Sequence, residues 1–295
     1  MSDFLGASVV PITAHRWSHK MTVPLVEILA IGNELLAGDV LDTNSHWLCR
    51  QLAGRGARVS RMATLPDDMP TIGEALLAAL SRSPALIVTC GGLGPTADDL
   101  TVVAQAAALG RALAENPTAF AMVRDFYATL FRHGEVTTPA MTPARAKMAV
   151  LPADAEPLPN SVGAAPGVLM IEGETLIAAL PGVPAEMKAI FEESLWPRVA
   201  ARFSGQTYAE HVIQTNCWDE SIMAPAVDAV AARHPRVYVK SRAQVYGGGL
   251  ADFVTLATRA ATVSEAHAQL DDAEADLRTA LRTVNVEILG VEGRS

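Results

Sequence analysis

One short stretch, Cys90-Gly91-Gly92-Leu93-Gly94-Pro95-Thr96-Ala97-Asp98-Asp99-Leu100-Thr101, concentrates glycines, threonines and two adjacent carboxylates. Glycine lets backbone approach a ligand with no Cβ in the way. Free N–H groups at a strand-to-helix turn are suited to hold an anion. Pro95 stiffens the turn and Thr96 adds a hydroxyl. A pure phosphate cradle gains nothing from adjacent negative charge, so Asp98 and Asp99 point to a hard divalent cation or to orientation of a polar ligand. Asp is also a favoured helix N-cap. One of the pair is therefore expected to cap the next helix and the other to serve the site.

The elements that must carry this stretch are legible around it. Ala85–Thr89 reads as a buried strand before the glycines, and Val102–Leu109 as a helix after them. Upstream, Leu25–Ile31 reads as a first strand ending in Gly32, Asn33 and Glu34. Those polar groups stand at a strand's carboxyl end, where open α/β sheets bind ligands, although an ordinary turn with a capping Asn fits them equally. Thr43 is a credible cap for the following helix, with Asp42 and Asn44 in reach of the same pocket. A second strand over 57–65 leads to Asp67 and Asp68, whose plain role is to cap a helix over 71–81. This β-α-β-α-β alternation implies a largely parallel sheet in three layers.

Farther along, Asn116-Pro117 starts a helix whose Phe120, Val123, Tyr127 and Leu130 read as a core stripe. Arg145 and Lys147 follow a loop and place two cations near the suspected phosphate site. The proline-rich segment 152–166 is expected to be an irregular, shaped loop. Val168–Ile171 and Leu176–Leu180 form a hairpin, and Pro181-Gly182-Val183-Pro184 turns into a helix ending near Trp196-Pro197. From about Phe203 a smaller α+β unit follows, with strands near 207–215, 237–240 and 253–257 and helices over 219–233 and 264–283. Leu270, Ala273, Leu277 and Leu281 give the last helix its apolar face. Lys240–Arg242 and Gly247–Gly249 are expected to form a hairpin loop, or a flap over the first domain's pocket.

A net charge of −9 argues against a general nucleic-acid surface. The 3 cysteines, Cys49, Cys90 and Cys217, suggest neither a disulfide framework nor a zinc site, which fits the cytosol. No apolar run reaches membrane-spanning length. Residues 1–21 lack the apolar core of a secretory signal and are expected to be a disordered extension, with Met21 as an alternative start. No Gly-x-Ser-x-Gly elbow or clustered His/Cys pattern is present.

Four segments together resemble the molybdopterin-binding (MoaB/Mog-like) domain and, within that superfamily, the N-terminal part of CinA-like proteins. They are Gly32–Leu36 with Leu41–Asn44, Gly91–Thr101, Leu158-Pro159-Asn160 with Ala165–Gly167, and Pro181–Pro184 with Glu186-Met187. The resemblance implies a three-layer α/β/α domain over 22–200 and a small KH-like α+β domain over 201–295. It implies functional roles for Asp99 and Asp67, with Asp98 beside them and Asp98 and Asp99 as metal ligands. Ligand contacts are expected from Gly32, Asn33, Glu34, Thr43, Asn44, Gly91, Gly92, Gly94, Pro95, Thr96, Thr101, Arg145, Lys147, Asn160 and Gly167. Asn33 stands where many relatives have Thr or Asp.

By the same resemblance, the expected activity is metal-dependent hydrolysis of the ADP-ribose pyrophosphate bond, with Mg²⁺, Mn²⁺ or Co²⁺ as cofactor. The alternatives are a molybdopterin-binding protein of molybdenum-cofactor metabolism and a non-catalytic nucleotide sensor. The nicotinamide mononucleotide deamidase domain of full-length CinA is not in this sequence, so that activity is not expected. The expected partners are a small nucleotide or pterin and a second copy of the chain in a homo-oligomer, a dimer. Membrane and nucleic acid are not expected, because the Gly-x-x-Gly loop by which KH domains clamp RNA is not evident.

Overall fold

The structure, a computed structural model of the 295-residue chain, describes residues 23–203, 205–246 and 249–294. The expected extension over 1–21, the Met21 start and most of the Gly247–Gly249 run lie outside these residues. The described chain divides into two compact units, Val23–Ala209 with Arg259–Ala266 and Glu210–Thr258 with His267–Arg294.

The first unit begins with β1 (Leu25–Ile31), α1 (Asn33–Ala37), α2 (Thr43–Gly54), β2 (Arg58–Leu65), α3 (Met69–Leu80), β3 (Leu86–Cys90) and α4 (Thr101–Ala108). It continues with β4 (Leu113–Glu115), α5 (Pro117–Arg132), α6 (Pro143–Lys147), β5 (Val150–Pro152), β6 (Glu156–Leu158), β7 (Gly167–Glu172), β8 (Thr175–Leu180) and α7 (Pro184–Ala189). A π-helical stretch Ile190–Leu195, α8 (Trp196–Val199) and a 3₁₀ turn Ala200–Phe203 prolong α7. The chain thus stays helical through Pro197, which stands at the junction where the π-helical stretch passes into α8.

The sheet order is β2-β1-β3-β8-β7-β6. β2, β1, β3 and β8 pair in parallel, whereas β7 runs antiparallel to both β8 and β6. From β1 the chain goes first to one side, to β2, and then crosses to the other, to β3. The carboxyl ends of β1 and β3 therefore form a topological switch point, where open α/β sheets leave a crevice.

Both faces of the sheet are covered, as near-continuous apolar parallel strands require. Leu29, Ile31 and Ile87 pack with Ile72 and Leu76 of α3, Ala104 of α4 and Val123 of α5. Val26, Ile28, Leu86 and Val88 pack on the opposite face with Leu48 and Leu52 of α2 and with Phe191. Glu27 interrupts the apolar run of β1 but is buried with its charge met, because Arg82 donates to both its oxygens at 2.6 Å.

Two readings from sequence are corrected and one is refined. Segment 152–166 is not wholly irregular, since β6 lies within it; Pro157 is tolerated there because β6 is a sheet edge and its N–H side needs no partner. Arg145 and Lys147 belong to a helix, α6, capped by the Thr142 hydroxyl, which accepts from the Arg145 N–H. Lys240–Arg242 are strand and not loop, within the second unit.

That second unit is built on β9 (Thr207–Thr215), α9 (Glu220–Arg233), β10 (Val237–Tyr246), β11 (Gly249–Ala260), α10 (Val263–Thr283) and β12 (Ile288–Arg294). Its antiparallel sheet has the order β10-β11-β9-β12. The sequence pattern did not show β12. Leu270, Ala273, Leu277 and Leu281 of α10 are all buried, as their spacing predicts. Among the described residues no helix is long and apolar enough to cross a membrane.

Phe191 is fully buried, edge-on to Trp47 at 5.2 Å and stacked on Trp196 at 5.9 Å. Phe191→Ala removes a whole ring from this packing, and urea unfolding is expected to show a loss of about 3–5 kcal/mol.

Candidate functional site

The glycine turn leaves β3 at Gly91, whose φ of +114° and backbone contacts admit no other residue: a Cβ there would lie 2.0 Å from the Ile31 carbonyl oxygen. Buried Thr101 donates its hydroxyl to the Gly91 carbonyl at 2.7 Å, and its N–H donates to Gly92 O at 3.2 Å. Below the turn, Gln105 of α4 donates to the buried hydroxyl of Thr89 at 2.9 Å. The turn is thus pinned to both its strand and its helix.

A cavity of about 380 Å³ opens over this turn at the carboxyl ends of the parallel strands. Its floor is Gly91, Gly92, Gly94 and Pro95. Gly32, Glu34 and Asp67 form one side, at the ends of β1 and β2. Gly182, Val183 and Glu186 form the other, after β8. Asp98 and Asp99 face in from the turn, and Leu93, Tyr127 and Met148 supply apolar surface. Glu34, Asp67, Asp98, Asp99 and Glu186 all line the cavity, and no Lys, Arg or His is among its lining residues.

Three of these carboxylates owe their positions to glycines. A Cβ on Gly32 would lie 2.4 Å from Glu34 Oε1, on Gly94 2.7 Å from Asp99 Oδ2, and on Gly163 2.1 Å from the Glu186 carboxyl carbon. Asp99 Oδ2 accepts from the Thr96 N–H at 2.8 Å and the Thr96 hydroxyl at 2.6 Å. Neither Asp98 nor Asp99 caps the following helix, correcting that expectation: α4 starts after Leu100, which offers no side-chain cap. Asp68, not Asp67, caps α3 through the Thr71 N–H, and Asp42, not Thr43, caps α2 through the Ser45 N–H. Asp67 is free to turn inward, where its Oδ2 accepts the Asn33 N–H at 2.8 Å.

The other expected ligand residues stand one layer back. Asn33 Oδ1 accepts the Asp67 N–H at 3.3 Å. Asn44 donates to the Gly182 carbonyl at 2.7 Å and to Cys90 Sγ at 3.3 Å, fixing the turn after β8. Thr43 lies in the first turn of α2 and outside the cavity lining, and Gly167 begins β7, packed against Ile190 and the Ala179 carbonyl. Lys147 donates its ammonium to the carbonyls of Thr96 and Asp99, at 2.9 Å for the latter. Arg145 is directed to the Thr138 and Ala140 carbonyls and lies 3.7 Å over the Tyr127 ring. Asn160 donates to Glu186 Oε2 at 2.7 Å and to the Ala165 carbonyl at 2.9 Å.

Among the lining residues that reasoning from sequence missed, Tyr127 and Glu186 carry polar groups. Tyr127 reads as core because its spacing is helical, and its ring faces both the helix packing and the cavity. Glu186 sits in a recognised segment but gives no signal of its own, because its link to Asn160 spans 26 positions. Burial raises the Glu186 carboxyl, against a smaller lowering by the Asn160 hydrogen bond. Cys90 is no nucleophile: burial pushes its thiol up to about 12.

The family described as "Probable molybdopterin binding domain" matches residues 27–201. A protein of Aeropyrum pernix is 42% identical over 248 residues, covering 83% of this chain and 89% of its own length. A protein of Pyrococcus furiosus is 41% identical over 203 residues, covering 68% and 79%. Among solved structures, the protein CinA with unknown function from Thermoplasma acidophilum is similar at 34% identity and a TM-score of 0.53, covering 60% of this chain and 98% of that one.

The Asn160 amide donates to the charged form of Glu186, so its removal disfavours ionisation. Asn160→Ala is expected to move the Glu186 carboxyl to a still higher pKa, measured by NMR titration of the side-chain carboxyl carbon.

Proposed function

This chain is a CinA-like member of the probable molybdopterin-binding domain family, and from its pocket we propose that it is a metal-dependent pyrophosphatase acting on ADP-ribose or a similar dinucleotide. The observation that carries this reading is the charge of the cavity. Five carboxylates surround a backbone anion cradle, and none of the lining side chains is cationic. A phosphate-bearing ligand enters such a site only together with its own counter-charge.

The donor set fits a hard divalent cation. Thr96 engages Asp99 Oδ2, leaving Oδ1, and Asp98 stands next to it. Among the described residues no three His, Cys, Asp or Glu side chains form a ready ligand set. One or two carboxylates completed by phosphate oxygens and water is the usual arrangement for Mg²⁺. Asp99 and Asp98 would hold the cation; when bound, it polarises a phosphoryl oxygen and makes water a better nucleophile.

The chain's own residues would do the rest. Backbone N–H groups of Gly92, Leu93 and Gly94 would receive the diphosphate, since the Gly91 and Thr96 N–H groups are given to Leu180 O and Asp99 Oδ2. Thr96 fixes the Asp99 rotamer, and Lys147 holds the back of the turn by its carbonyls. Asp67, with Asn33 against it, would set the β1–β2 side of the pocket.

A pterin is the second reading, and Tyr127 is the observation that favours it. Its ring lines the cavity beside Leu93 and Met148, an apolar wall suited to a flat heterocycle.

Incubation with ADP-ribose and a panel of divalent metals is expected to release AMP and ribose 5-phosphate, separated by chromatography. Asp99→Asn should lower that turnover by about 100-fold or more with the circular dichroism spectrum unchanged. Unchanged turnover would remove Asp99 from the mechanism. No AMP with any metal would favour the pterin, with mass spectrometry of co-purified material as the next measurement.

A further inference from the structure

We propose that Glu186 is the residue by which the pocket reads the organic part of its ligand, accepting hydrogen bonds from donor groups next to the phosphate held on the glycine turn. The inference rests on the reading of that turn as the phosphate cradle.

The first support is position. The strand order β2-β1-β3-β8 places the Gly91–Asp99 turn centrally. Asp67 and Glu34 lie on the β2–β1 side, and Glu186 follows β8 on the other. A ligand whose phosphate rests on the turn and whose organic group extends toward β8 meets Glu186 with Val183 and Ala164 beside it.

The second support is that the carboxylate is held ready in advance. Asn160 takes one oxygen, Oε2, and is itself fixed on two further sides: its amide donates to Ala165 O, and its Oδ1 accepts the Val162 N–H at 3.2 Å. Gly163 leaves the room that the carboxyl occupies. Among the described residues no cation pairs with Glu186, so Oε1 keeps its acceptor capacity for a ligand. The carboxylate is half-buried, which strengthens a hydrogen bond made to it. An acceptor-only group of this kind selects hydroxyl or N–H donors. The vicinal hydroxyls of a ribose and the ring N–H and amino group of a pterin both present them; a bare diphosphate does not.

Isothermal titration calorimetry with Mg²⁺-ADP-ribose, Mg²⁺-pyrophosphate and neopterin separates the cases. Glu186→Gln is expected to weaken ADP-ribose about 10- to 100-fold, the loss typical of a hydrogen bond to a charged group, and to leave pyrophosphate unchanged. Gly163→Ala, which pushes the carboxyl off its seat, should reproduce the loss, and Asn160→Ala should give a smaller one. Equal weakening of pyrophosphate, or no change for any ligand, would overturn the proposal. If the wild-type protein binds neopterin but not ADP-ribose, and Glu186→Gln abolishes that binding, the role of Glu186 stands while the nucleotide reading falls. Binding of neither organic ligand by the wild-type protein overturns it.

Discussion

The approach of the Gly91 backbone to the Ile31 carbonyl is the constraint on which the site depends. β1 and β3 are adjacent parallel strands, so the chain leaving β3 must pass over the end of β1 before it turns into α4. A Cβ at Gly91 would sit 2.0 Å from Ile31 O, and the residue's φ of +114° is one that side chains rarely adopt. With glycine there, the turn can lie flat across the switch point and present backbone to the cavity. Everything else in the first unit secures that path: Thr101 from the helix, Gln105 from beneath, Lys147 from behind, and Asn44 through the neighbouring turn after β8.

Much of this arrangement was legible in the sequence because its signals are local. The apolar runs read as strands over Leu25–Ile31 and Ala85–Thr89 are strands, at Leu25–Ile31 and Leu86–Cys90. The alternation with helices implied a parallel sheet, and the glycine stretch marked its switch point. Local signals also misled. Asp98 and Asp99 have the composition of helix caps, but Asp99 Oδ2 accepts from the Thr96 N–H and hydroxyl, and α4 starts after Leu100 with no side-chain cap. Asp67 and Asp68 are interchangeable in sequence, and only the chain's path decides that Asp68 caps while Asp67 meets Asn33.

What stayed hidden was set by distant parts of the chain. Lys147 reads as a cation beside a phosphate site; the structure directs it to the Thr96 and Asp99 carbonyls, 51 and 48 positions upstream, while Arg145 turns to carbonyls of the loop before its own helix. The consequence for the site's electrostatics is large, because the cavity keeps its carboxylates and no cation joins them at its lining. Glu186 was hidden for the same reason. Its environment comes from Asn160 and Gly163, more than twenty positions upstream.

The missing side-chain cap at the start of α4 has a thermodynamic consequence. A helix ordinarily gains about 1 kcal/mol from a good N-cap, and Leu100 supplies none. Its first N–H, from Thr101, is instead given to the Gly92 carbonyl of the turn, so an anion settling on that turn steadies the start of α4 through it, and occupancy and folding become linked by mass action. A ligand at 100 times its Kd stabilises the native state by about 2.7 kcal/mol. In this protein part of that stabilisation would be local, a tightening of α4 and the turn before it. Amide hydrogen exchange along Thr101–Ala108 would then report on occupancy of the cradle itself, independently of any turnover.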